Sequence, residues 1–77
     1  MNIFEKVLMP LCEFYELFYT VIDQPDQNRW LIRFDRDDKS YLHYIDKFIF
    51  CRYNNIGKEL YLNSLVDSVI EKIGDGV

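Results

Sequence analysis

The sequence predicts a single small α+β domain over residues 1–77, with an N-terminal helix, a three- to four-stranded antiparallel sheet and a C-terminal helix. Three observations predict it. Apolar residues recur at helical spacing near both ends of the chain, they alternate with polar residues in the middle, and hydrophobic residues make up 49% of the total. A chain of 77 residues folds as one domain. Its aromatic content of 17% can supply a core and excludes a disordered chain.

The N-terminal helix is predicted over residues 3–22, where apolar side chains keep a helical phase. Pro10 removes one backbone hydrogen bond inside this segment. Because the apolar phase continues across Pro10, we expect a kink and not two separate helices. The alternative is a β-strand in the second half, since residues 14–22 are rich in side chains that favour strands.

Residues 29–45 predict an antiparallel hairpin. A polar turn around Pro25 precedes it, and residues 36–39 reverse the chain. Apolar residues alternate on both sides of that reversal. The predicted cross-strand pairs are Phe34 with Tyr41, Ile32 with His43 and Trp30 with Ile45. The opposite face of this hairpin carries Leu31, Arg33, Leu42 and Tyr44.

The rest of the chain predicts a further hairpin and then a helix. Residues 48–53 and 58–62 are the predicted strands, residues 54–57 the turn between them, and residues 46–47 the bend that precedes them. The C-terminal helix is predicted to begin at Ser64, which together with Asp67 has the form of a capping box. Gly74 is its predicted C-cap.

Charge is distributed unevenly along a chain whose net charge is −4. Residues 1–28 hold five carboxylates and only one lysine, whereas residues 29–58 hold seven basic residues and four aspartates. Such asymmetry is typical of proteins that present a charged surface to a partner. The acidic segment contributes the candidate partner-binding residues Glu13, Glu16, Asp23 and Asp26.

Few side chains in this sequence could perform chemistry. His43 is the only histidine, and the two cysteines, Cys12 and Cys51, are far apart in sequence, in apolar surroundings that predict buried free thiols. A zinc site needs about four ligands, and the acidic run at residues 35–38 fails the spacing of a calcium loop. The sequence contains no glycine-rich phosphate loop and no nucleophile elbow. We therefore expect no enzyme, no metal and no cofactor.

The interpretation we favour is a small acidic inhibitor or regulator that occupies a basic, nucleic-acid-handling surface of a partner protein. Small acidic domains whose composition suggests an AT-rich genome are common among phage and mobile-element products directed against host defence, such as anti-restriction and anti-CRISPR proteins. Leu31 and Tyr44 are candidate apolar anchors, since Tyr, Arg and large apolar residues dominate many interfaces.

Two other interpretations stay open. If both helices lie on one side of the sheet, the bare face could pair with itself in a homo-oligomeric module; helices on both sides would cover it. Alternatively, basic and aromatic residues interleaved over residues 29–53 could stack single-stranded nucleic acid. The net negative charge argues against direct nucleic-acid binding. Without an apolar run of about 18 residues or a basic leader, we expect a soluble, cytoplasmic protein that does not enter the membrane.

Overall fold

The chain enters its first helix at Asn2, whose side chain accepts a hydrogen bond of 2.9 Å from the backbone N–H of Glu5. This N-cap satisfies one of the free amides at the helix start. Helix α1 then runs from Ile3–Phe14 and continues across Pro10. The structure is a computed structural model, and it describes residues 2–74.

Helix α1 ends earlier than predicted, at a Schellman motif. Glu16 takes a left-handed conformation with φ of 59°, the N–H of Leu17 bonds to the carbonyl of Cys12, and the N–H of Glu16 bonds to that of Glu13. Glycine normally occupies this left-handed position, so the glutamate at position 16 did not indicate in the sequence that the helix ends here. The helix predicted beyond residue 14 is therefore wrong, and the alternative strand over residues 14–22 is correct from residue 18 onward: β1 spans Phe18–Gln24.

Strands β1, β2 (Arg29–Arg36) and β3 (Lys39–Asp46) form an antiparallel sheet in the order β1-β2-β3. A 3₁₀ turn at Pro25–Gln27 connects β1 to β2, and Asn28 leaves it with φ of 50°. The hairpin register is confirmed, since the predicted pairs Phe34–Tyr41, Ile32–His43 and Trp30–Ile45 all lie opposite each other.

The second predicted hairpin is wrong, because two helices occupy residues 47–51 and 55–69. Asp46 caps the short helix α2, Lys47–Cys51, by accepting from the N–H of Ile49. Asn54 caps the long helix α3, Asn55–Val69, by accepting from the N–H of Gly57 at 2.7 Å. The expected capping box at Ser64 lies inside α3. A π-helical turn, Ile70–Gly74, follows α3.

The core lies between the helices and one face of the sheet. Ile32, Phe34 and Ile45 are buried from the sheet side. The largest fully buried side chains of the helices are Leu8, Cys12, Leu62, Val66 and Val69. Because alternate residues of a strand point to opposite faces, these contacts place α1 and α3 on the same side of the sheet. The fold is therefore a two-layer α+β domain with an N-terminal helix, a three-stranded sheet and C-terminal helices.

Candidate functional site

The face of the sheet that points away from the helices, here called the open face, is apolar at its centre. Ile22, Leu31 and Tyr44 lie side by side across β1, β2 and β3, and Leu42 lies in the neighbouring row. Leu42 is 53% exposed and Tyr44 is 49% exposed. Helices α1 and α3 pack on the other face, so neither of them covers these side chains.

Polar groups border the open face at both ends of its strands. At one end, the guanidinium carbon of Arg29 lies 4.0 Å from the ring centroid of Tyr44, and Arg29 Nε donates to Gln24 Oε1 at 2.7 Å. At the other end, Asp35 accepts from Ser40 at 2.6 Å and from Arg33 at 2.9 Å. The hydrogen bond from Ser40, with a further contribution from Arg33, lowers the pKa of Asp35. An apolar centre with a polar border is the usual form of a protein-docking surface.

The apolar surface continues around the β3 edge towards α2. Tyr44 lines a hollow of about 210 Å³ together with Ile49 and Tyr53. All three side chains are at least 40% exposed. Tyr44 therefore belongs both to the open face and to this hollow. This candidate residue thus lies near the middle of the exposed apolar area.

The turn between α1 and β1, here called the acidic junction, combines carboxylates with exposed aromatic rings. Phe14 is 77% exposed and Phe18 is 76% exposed. Glu13 and Glu16 lie beside them in the chain, and both are exposed. The three ion pairs among residues 2–74 leave out Glu13 and Glu16. Phe18 also belongs to the open face, because it lies opposite Asp35.

The structure separates the four candidate acidic residues into two groups. Strand β1 has seven residues, and a strand rises about 3.3 Å per residue. Glu13 and Glu16 therefore lie near one end of β1, and Asp23 and Asp26 lie near its other end, roughly 20 Å away. Asp23 is paired with the ammonium of Lys47, and Asp26 lies in the 3₁₀ turn. These carboxylates therefore do not form one cluster, and their contact with a partner stays a prediction.

Sequence reasoning missed Phe18 and Ile22 as surface residues, because it placed them on the apolar side of a helix. The strand propensity of residues 14–22 was the signal that could have found them. The same reasoning counted Trp30, Phe34 and Tyr41 among rings for stacking bases. These three rings lie on the helix-covered face, where Phe34 is buried and the other two pack against the core.

The side chains that could act as nucleophiles or metal ligands are dispersed over the structure. Cys12 is buried, and burial raises the pKa of its thiol to about 11. Cys51 is exposed, so the expectation that both thiols are buried is wrong for this one. Within residues 2–74, no three His, Cys, Asp or Glu side chains are grouped as metal ligands would be.

His43 lies between the sheet and α3, with its Nε2 2.8 Å from the hydroxyl of Tyr61. Burial lowers the pKa of His43 from its ordinary value of 6.5. The unfolded chain therefore takes up a proton near pH 6.5 while folded His43 stays neutral. The stability contributed by neutral His43 is present above that pH and is lost as the pH falls.

We expect the free energy of unfolding to decrease when the pH is lowered from about 8 to about 5.5, a range in which histidine is the side chain that normally titrates. Urea titrations at both pH values measure the decrease. The variant His43→Gln keeps a polar group but removes the titration, so its pH dependence should be clearly smaller. Equal pH dependence in the two proteins would contradict the assignment of this stability loss to His43.

Comparisons of the chain with protein-family models, with curated proteins and with solved structures give no match. The fold and its surfaces define the class: a small α+β domain whose three-stranded sheet is covered on one side by helices and, within residues 2–74, carries no helix on the other. None of the helices described within residues 2–74 has both the length and the apolarity needed to cross a bilayer.

Proposed function

We propose that the chain is a non-enzymatic protein-binding domain that docks its open face and acidic junction on a basic surface of a partner protein. The partner's surface is one that handles nucleic acid, and the chain acts on it as a stoichiometric inhibitor or regulator. An anti-defence protein of a phage or another mobile element is the specific form of this proposal.

The observation that carries the proposal is the exposed apolar area next to unpaired carboxylates. Burying an apolar side chain such as Leu42 contributes roughly 1.5–3 kcal/mol when a partner removes it from water. Monomeric proteins seldom expose contiguous apolar patches unless the patch has a function. The open face supplies this driving force, and it supports protein binding more than chemistry.

The charge of the acidic junction indicates the charge expected on the partner's surface. Glu13 and Glu16 border Phe14 and Phe18, and the nearest basic residues in the chain are Lys6 and Arg29. A basic surface would gain attraction at the acidic junction and would speed encounter, whereas an acidic surface would be repelled. A nucleic-acid-handling protein offers such a basic surface.

The charge of the acidic junction provides the test. The tagged chain is incubated with a lysate of its source cells, the retained proteins are identified by mass spectrometry, and the main one is purified and titrated. We expect Glu13→Lys combined with Glu16→Lys to weaken its affinity by about tenfold or more, with a loss that shrinks as salt is added.

The matched control is Asp67→Lys combined with Glu71→Lys, which changes the charge equally on the exposed side of α3 and its π-helical turn. We expect its affinity to stay close to that of the unmodified chain. Equal losses of affinity in the two double variants would show that the loss follows from the change in net charge and not from its position at the acidic junction. Unchanged affinity after the Glu13 and Glu16 exchange would remove the acidic junction from the interface.

A second candidate is self-association through the open face. On β2 the basic Arg29 and the acidic Asp35 lie at opposite ends of this face, so two copies with antiparallel β2 strands would bring Arg29 of each near Asp35 of the other. Light scattering after size exclusion at micromolar concentration distinguishes the two candidates. The mass of a single chain supports docking on a different protein, and twice that mass supports the homodimer.

A further inference from the structure

Among residues 2–74, no strand pairs with the outer edge of β3, so the backbone groups on that edge make no sheet hydrogen bonds within the described part of the chain. The N–H of Lys47 donates to the carbonyl of Asn28, which fixes the alternation of bonded pairs along the β2–β3 ladder. By this alternation, the backbone groups of Tyr41 and His43 point to β2. Those of Ser40, Leu42 and Tyr44 point away from the sheet, and β3 is an edge strand of the described sheet. Three consecutive outward positions can pair with an added extended chain.

A groove runs beside this edge, between β3 and α3. Its volume is about 280 Å³. Side chains from the helix-facing side of β3, from one side of α3 and from the following turn line it. They are Tyr41, His43, Tyr61, Ser64, Leu65, Ser68 and Lys72. The groove could receive side chains of a strand paired with β3, since alternate residues of that strand would point towards the helices.

The lining of the groove is apolar with hydroxyl groups, and its charge is positive. Among the residues that the structure describes, the seven that line the groove include no carboxylate. The ammonium of Lys72 lies 5.8 Å from the ring centroid of Tyr41, near the start of β3. At the same end, Lys39 Nζ donates to the carbonyl of Ile73 at 3.4 Å. Two lysines thus lie towards the Lys39 end of β3, one in the groove lining and one beside it, in a chain whose net charge is −4.

We propose that this edge and groove bind the C-terminal segment of a peptide as an added antiparallel strand, with the terminal carboxylate at Lys72 and Lys39. Three features identify this ligand. The outward backbone groups can pair with an extended chain, the lining accepts alternate apolar or hydroxyl side chains, and the lysine ammonium groups attract an anion. An antiparallel strand on β3 runs from the Asp46 end to the Lys39 end, so its carboxyl terminus arrives at the two lysines.

This site is separate from the open face, because its side-chain pockets lie on the helix-covered side of the sheet. Three residues, Ser40, Leu42 and Tyr44, take part in both, through their backbone here and through their side chains on the open face or its border. The two proposals can therefore fail independently, and the variants below keep them apart.

The test uses random peptides displayed with free C-termini and selected on the complete chain. The best binder is synthesised with a free carboxylate and as the C-terminal amide, and both are titrated by fluorescence anisotropy. We expect amidation and Lys72→Ala each to weaken binding by about tenfold or more, as loss of a charge-assisted contact does. Lys6→Ala, on α1, is the matched control and should leave affinity unchanged. Selection of no peptide, or equal binding of acid and amide, would overturn the proposal.

Strand addition is tested at Leu42, whose N–H points outward. Leu42→Pro removes that donor without removing a β2–β3 hydrogen bond, and proline is tolerated at such edge positions. We expect it to weaken peptide binding by about tenfold, whereas Leu42→Thr keeps the N–H and should bind normally. In the unmodified chain, hydrogen exchange at the Ser40, Leu42 and Tyr44 amides should slow when peptide is bound. Unchanged exchange at all three amides would contradict an added strand even if Leu42→Pro fails to fold.

Discussion

Replacing Phe34 with alanine is expected to lower the free energy of unfolding by about 3–5 kcal/mol, the cost typical of a deleted core phenylalanine. Phe34 has no exposed surface and lies on the central strand, with the helices on one side and a sheet neighbour on each flank. A domain of this length has a total stability of roughly 4–12 kcal/mol. The variant should therefore be marginal or unfolded at room temperature.

Urea unfolding followed by far-UV circular dichroism measures this loss, and Phe34→Leu supplies a milder variant whose stability can still be titrated. Leu42→Ala is the control, because Leu42 lies on the neighbouring strand but on the open face. Its cost should stay below about 1 kcal/mol, since a half-exposed side chain loses little buried surface. Equal costs at the two positions would contradict the one-sided packing of the sheet.

The central hairpin could be predicted from the sequence because its information is local. Alternation over residues 29–45 and the two-residue turn at Asp37 and Asp38 fix the register, and Asp37 takes the required positive φ of 56°. The composition and the terminal helical patterns then gave the correct fold class. The order and lengths of the helices and strands along the chain depended on where each helix begins and ends, and these boundaries were harder to predict.

The errors arose at residues that end or begin a helix. Glu16 occupies a left-handed C-cap position where glycine is expected, so the helix appeared to continue to residue 22. Asn54 and Gly57 are common in turns, but here Asn54 is an N-cap and Gly57 lies in the first turn of α3. A Cβ at Gly57 would approach the Asn54 side chain to 3.2 Å, which accounts for a glycine beside that cap.

The candidate site could be predicted only in part. Leu31 and Tyr44 were correctly placed on the face opposite Trp30 and Ile32, because two-residue periodicity determines that assignment. Whether a helix covers that face depends on how α1 and α3 pack in three dimensions, which local patterns do not encode. The acidic residues could not be grouped correctly until the end of α1 was known.

Placing an arginine on the open face is expected to have the largest effect on partner binding. Leu42→Arg replaces an apolar contact with a charge that a docked partner would have to desolvate, and it also repels a basic surface. We expect the affinity for the captured partner to fall about 100-fold or more, which corresponds to roughly 2.7 kcal/mol. The free protein should stay folded, because Leu42 is not part of the core.

Asn63→Arg is the matched control, since Asn63 is exposed on α3, away from the sheet. It introduces the same side chain and the same charge at another place. Any general effect of an added arginine on solubility or on attraction to the partner is then measured separately from the effect of its position.

The titration of the purified partner with these two single-arginine variants is the most direct test of docking through the bare side of the sheet. The account predicts that Leu42→Arg loses about two orders of magnitude in affinity while Asn63→Arg binds like the unmodified chain. Equal affinities for the two variants, with both proteins folded, would contradict it.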